Sequence, residues 1–143
     1  MLQNLAAGSA LVALTVLIHT AGLIAIAGLT PRLARRLRLQ SHDVGRTLVM
    51  TGTVLGILAI LTLDVWSWAV AYEAIRITPS FEDALFLSTA MFSTIGYGEL
   101  AVDPAWRLMT ALEGVNGFLM IGWSTAYLVR ASTLHGPFRK EHF

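Results

Sequence analysis

Three long stretches of this sequence carry almost no charge, and that pattern restricts the fold more than any other feature. They run from about Leu5 to Leu29, from about Thr47 to Tyr72, and from about Leu108 to Val129. Each holds roughly 22 to 26 residues, enough for a helix to cross a hydrocarbon core of ~30 Å. Tyrosines aside, their only titratable side chains are His19, Asp64 and Glu113. A fourth apolar stretch, Ala84 to Ile95, is about 12 residues long and too short to span; such a segment is expected to be re-entrant or packed against other helices. Charged residues make up 13% of the chain, where a soluble domain has about a quarter. Water is therefore the wrong solvent for most of this surface. With no cysteine, disulfides, thiolate metal sites and cysteine nucleophiles are excluded. Basic residues are not interleaved with aromatics, so nucleic-acid binding is not expected. No nucleophile–base pair or metal constellation stands out, so neither an enzyme nor a cofactor is expected.

The charges outside these stretches orient them. Residues 31–46 hold five arginines and Asp43, and the tail beyond Arg130 is basic as well. Residues 73–107 hold five acids against Arg76 and Arg107, a net charge of −3. The positive-inside rule then places the 31–46 segment and the C-terminus in the cytoplasm, with the short N-terminus outside. Trp66, Trp68, Tyr72 and Trp106 fit an outer aromatic belt. Pro31 is expected to close the first span. The following segment suits either a short amphipathic helix on the membrane surface, with Leu33 and Leu37 four apart, or a plain basic loop. Ser41 and Asp43 are candidate caps for the second span. Ala25-Ile26-Ala27 has the look of a signal-cleavage site, but no basic residue precedes the apolar run, so a retained span is the reading.

Between the short stretch and the third span lies Ser93-Thr94-Ile95-Gly96-Tyr97-Gly98-Glu99. Alternating glycines are unusual at membrane depth, because lipid cannot satisfy exposed backbone groups; irregular backbone there must line a cavity. Carbonyl oxygens aimed along one axis can replace the water around a potassium ion. That aim needs backbone angles glycine accepts, at Gly96 and Gly98. The segment resembles the selectivity filter of the potassium-channel pore-loop family, and the resemblance covers roughly Thr47 to Arg130. It implies that the carbonyls of Thr94, Ile95, Gly96 and Tyr97, with the Thr94 hydroxyl, are the potassium ligands, and that Gly98 completes the filter. It further implies an outer helix over 47–72, a pore helix over 82–93 with its dipole aimed at the cation, the filter at 94–98, an inner helix over 107–130, and four chains around one axis. Residues 1–30 form an extra span and 131–143 a cytoplasmic tail. Departures from the family pattern are Glu99 in place of the usual Asp, an apolar Ala90-Met91-Phe92 before the filter, Glu113 in the inner helix, and the extra span itself.

Several polar and small residues keep two readings. Ser93, Glu99 and Glu113 are candidate filter supports; Glu113 either packs behind the filter against Ser88 or Thr89, or faces the cavity. Gly114 or Gly117 is the gating hinge by resemblance, or else a close-packing site against the pore helix. Asn116 lies where it can face the cavity, and Thr125 to Val129 is where the family's inner helices converge. His19 is a pH sensor, or a neutral histidine satisfied by a neighbouring helix. Arg76 and Arg107 are the candidate partners of Asp64. Gly52 and Gly56 form a Gly-x-x-x-Gly pair suited to close helix contact with span one or three. Span one has no repeated arginine within it and is not a voltage sensor.

The expectation is thus an all-α integral membrane protein of the cytoplasmic membrane, from a bacterium by its Ala, Leu and Arg content. It has three spans and one re-entrant pore loop, assembles as a homotetramer in lipid, and passes potassium selectively. The alternatives are a less selective cation channel and a non-conducting or accessory membrane subunit. With little chain after Arg130, any ligand gating is expected to need a separate regulatory protein.

Overall fold

The computed structural model describes residues 2–36, 43–96 and 102–135. These residues form four helices and no strand: α1 (Leu2–Arg36), α2 (Asp43–Ala74), α3 (Phe81–Phe92) and α4 (Arg107–His135). Along α1 the residues that disappear from the surface include Asn4, Gly8, Thr15, His19 and Leu23, set at helical spacing on one face. Leu14, Leu17, Ile24 and Leu29 face outward. The same inversion recurs on α2, which buries Thr53 and Asp64 and exposes Leu55, Leu58, Leu63 and Val70. On α4, Glu113, Asn116 and Ser124 are buried while Val115, Phe118 and Leu119 are exposed. A helix in water turns its polar face out. These turn it in, which is favourable only when the surrounding solvent is apolar.

Helices α1 and α2 are long and apolar enough to cross a membrane. At 29 residues α4 is nearly as long, but Glu113, Asn116 and its hydroxyl residues dilute its apolar run.

The helix ends depart from the sequence expectations. α1 does not stop at Pro31; it continues as helix to Arg36. A proline inside a helix forfeits one backbone bond. Here the freed carbonyl is that of Ala27, near the edge of the apolar stretch, where polar groups can reach it, and Leu, Ala and Arg beyond it are strong helix formers. The start of the basic segment is therefore a prolongation of the first span. Asp43 lies within α2, where its carbonyl accepts from the Thr47 hydroxyl at 3.0 Å. Ser41 and Leu37 lie outside the described residues.

Helix α3, with 12 residues, is ~18 Å long and cannot span. Its start is fixed by Ser80, whose hydroxyl accepts from the Asp83 N–H at 3.1 Å and donates to the Asp83 carboxylate at 2.7 Å. Glu82 and Asp83 complement the positive end of the helix dipole. Ala84, Leu87 and Phe92 of α3 join Trp68, Ala69 and Tyr72 of α2 and Met109 and Met120 of α4 in one buried cluster. α3 packs on α2 and α4, and α1 packs on the same two helices. Small residues permit the approach: a side chain at Gly22 would meet Ile60, and one at Gly56 would meet Ile26. At Gly52, the other half of the Gly-x-x-x-Gly pair, an added Cβ would meet nothing within 4 Å.

Candidate ion-conducting segment

What leaves α3 is decided at its last turn. The Thr94 N–H donates to the Met91 carbonyl at 3.0 Å, and the Ile95 N–H reaches back to the Ala90 carbonyl at 3.1 Å. Together these bonds make a Schellman closure, in which the residue after the cap takes the left-handed conformation. That residue is Thr94, with φ of 62°. Glycine normally fills this slot; a β-branched residue there is strained by about 1–3 kcal/mol. The Gly96 N–H also donates to the Ala90 carbonyl, and Gly96 has φ of 62°. Ser93 turns its hydroxyl to the Thr89 carbonyl at 2.6 Å, so it secures the helix end. Thr94, Ile95 and Gly96 are exposed, Ile95 by 67%. Tyr97, Gly98 and Glu99 lie outside the described residues.

The helix that presents this segment is tied from behind. Glu113 of α4, fully buried, receives one hydrogen bond on each carboxyl oxygen. The Tyr72 hydroxyl of α2 donates to Oε2, and the Ser88 hydroxyl of α3 lies 2.5 Å from Oε1. Ser88 is also 2.8 Å from the Val65 carbonyl of α2. A single carboxyl group thus joins α2, α3 and α4 at one point. Of the two partners expected for Glu113, Ser88 is bonded and Thr89 is not; Thr89 is exposed and donates to the Leu85 carbonyl at 2.7 Å. Tyr72, expected in an outer aromatic belt, is instead fully buried. The signal that identifies it is donor counting: a buried carboxyl needs a donor on each oxygen.

Gly117 completes this seat. A Cβ there would lie 2.0 Å from the Phe92 carbonyl oxygen, inside the last turn of α3, so no other residue fits without moving backbone. Gly114 is looser, with the Met91 carbonyl 3.5 Å from its would-be Cβ.

The remaining buried polar residues join α1 to α2 and α4. His19 Nδ1 is 2.8 Å from Asp64 Oδ2, and its Nε2 is 3.2 Å from the Ser124 hydroxyl. Asp64 therefore pairs with His19, not with Arg76 or Arg107. The carboxylate is fully buried within α2, whereas both arginines are exposed near helix ends. Asn116 is likewise held between helices, where it donates to the Thr15 hydroxyl of α1 at 2.7 Å. Among the described residues no group of His, Asp and Glu could hold a metal ion.

The model of a family described as "Ion channel" matches residues 58–133. That is just over half of the chain: the later part of α2, all of α3 and nearly all of α4. The chain is also 29% identical over 119 residues to the Uncharacterized membrane protein YdjJ of Bacillus subtilis (strain 168), a match covering 72% of this chain and 33% of that protein. It thus spans about a third of the relative's length. No solved structure matches significantly. With a short helix seated between two long ones and a filter-like strip at its end, the chain belongs to the ion-channel family, in its potassium-channel pore-loop branch.

Proposed function

We propose that this chain is one subunit of a homotetrameric, potassium-selective channel. Four copies of Thr94–Gly98 surround one axis, and ions exchange water for the carbonyl oxygens of Thr94, Ile95, Gly96 and Tyr97 and for the Thr94 hydroxyl. The observation that carries this reading is the left-handed exit from α3. It turns Thr94, Ile95 and Gly96 away from the body of the subunit at the negative end of a helix dipole, where a cation is stabilised. In this reading α1, α2 and α4 all span, the arginine-rich end of α1 faces the cytoplasm, and Gly98 and Glu99 complete the filter and its outer rim. Glu113 is a filter support and Gly117 a packing seat rather than a hinge, which leaves Gly114 as the more mobile of the two glycines.

The test is potassium against sodium flux in liposomes containing the purified chain, with Gly96→Ala as control. Potassium flux that is abolished in the control, with little sodium flux beside it, is expected. Equal flux of the two ions would make the chain a non-selective cation channel. No flux of either across a range of pH and voltage would leave a membrane subunit that does not conduct by itself.

A further inference from the structure

The continuation of α1 beyond Pro31 creates a surface that conduction does not use. Leu29, Arg32, Leu33 and Arg36 are spaced i, i+3, i+4, i+7 and form one stripe of the helix. With Arg35 they line an open groove of about 550 Å³. Leu29 and Leu33 are mostly exposed, and so are all three arginines. Among the described residues no carboxylate pairs with any of these arginines; the one ion pair is His19–Asp64. A second groove, of about 170 Å³, opens beside the first and shares Leu29 and Leu33 with it. It runs between α1 and α2 over Thr30, Ala34, Leu48 and Val49 to Gly52. The missing side chain at Gly52 keeps its far end open, since a Cβ there would meet nothing within 4 Å.

Depth matters as much as composition. The apolar run of α1 ends near Leu29, so in a bilayer the arginines stand at headgroup level while the second groove points into the hydrocarbon. A cationic cluster with no paired carboxylate among the described residues, joined to an apolar channel leading inward, matches a molecule with an anionic head and an acyl tail. We infer that Arg32, Arg35 and Arg36, with the α1–α2 groove floored by Gly52, form a binding site for an anionic phospholipid. The arginines bind the phosphate by charge-assisted hydrogen bonds, and Leu29, Leu33, Leu48 and Val49 cover one acyl chain. This goes beyond conduction and depends only on the chain residing in a membrane.

The test is lipid binding to the purified full chain in a neutral detergent, read by native mass spectrometry and by thermal protection. The probes are phosphatidylglycerol, phosphatidylcholine of the same chain length, and inorganic phosphate. Wild type is expected to bind phosphatidylglycerol at least about tenfold more tightly than phosphatidylcholine, since basic side chains at the membrane surface attract anionic headgroups. Inorganic phosphate should give no protection. Arg32→Gln/Arg35→Gln/Arg36→Gln should reduce phosphatidylglycerol binding to the phosphatidylcholine level. Gly52→Leu, which fills open space and leaves the charges in place, should weaken both lipids while keeping their ratio. Should the triple variant fail to fold, Gly52→Leu decides the matter alone. Equal wild-type binding of the two lipids overturns the proposal, as does unchanged binding in the variants. Protection by inorganic phosphate alone would mean a simple anion site and also overturns it. A changed oligomer size with lipid binding intact would make this face a protein interface instead.

Discussion

Two buried polar clusters hold this bundle together, and they are built differently. Behind α3, Glu113 has a donor on each carboxyl oxygen, from Tyr72 and from Ser88. Beside α1, Asp64 has only His19, on Oδ2; its Oδ1 has no partner, and neither has Asn116 Oδ1. A buried polar network is rigid and specific when every member is satisfied, and costly where one is not. The Glu113 carboxyl behind α3 has a partner on both oxygens, and the Asp64 carboxyl facing α1 does not. On the proposed function, the side that presents the ion ligands is the one whose buried carboxyl is fully partnered. The α1 side keeps unused hydrogen-bonding capacity at Asp64 Oδ1 and Asn116 Oδ1.

The comparison breaks most visibly at Gly117. Gly117→Val forces side-chain atoms into the Phe92 carbonyl, and neither helix can give way without moving the segment that carries Thr94. The expected outcome is loss of potassium flux and destabilisation by more than about 3 kcal/mol, read by flux and by thermal unfolding in detergent. Gly114→Ala, where the approach is 3.5 Å, should leave both nearly unchanged. Equal effects at the two glycines would mean that α4 does not seat on α3 in this way.

Next in size are the clusters themselves. Tyr72→Phe removes one of the two donors to Glu113 and should cost about 1–3 kcal/mol, the penalty for a buried acceptor left unpaired. A fall in potassium-over-sodium selectivity should accompany it, because the helix that aims the strip loses one of its ties. His19→Gln should cost stability on the order of 1 kcal/mol, since an amide can still donate to Asp64, and selectivity should hold. If His19→Gln altered selectivity as much as Tyr72→Phe, the division of labour between the clusters would be wrong.

How far the sequence discloses these arrangements depends on what each requires. Helix positions follow from apolar length, because a bilayer tolerates little else; of the strip expected at Thr94–Gly98, only Thr94, Ile95 and Gly96 lie among the described residues. The partner of Glu113 was half legible. Ser88 lies in the short helix that must pack nearby, but Tyr72 enters only through the rotation of α2 about its own axis. The same rotation sets His19 against Asp64, a pairing between residues 45 apart that no local pattern announces. Pro31 does not end α1, because the carbonyl it frees, that of Ala27, lies near the end of the apolar run where polar groups can reach it. Gly52 and Gly56 look alike in sequence, yet only Gly56 meets the neighbouring helix.

Thr94 sharpens the comparison by separating stability from conduction at one residue. The left-handed turn after α3 is imposed by the bonds to Met91 and Ala90, so Thr94 occupies a conformation that glycine adopts without strain. Thr94→Gly relieves that strain and should stabilise the isolated protein by about 1 kcal/mol, a small gain partly offset by the greater freedom of glycine in the unfolded chain. The same change deletes the hydroxyl proposed as an ion ligand and should lower potassium flux. A more stable, poorly conducting variant means that the strain is kept for the oxygen. A variant that conducts as well as wild type would show that the hydroxyl is not a ligand, and the threonine would then need another reason to occupy a glycine's place.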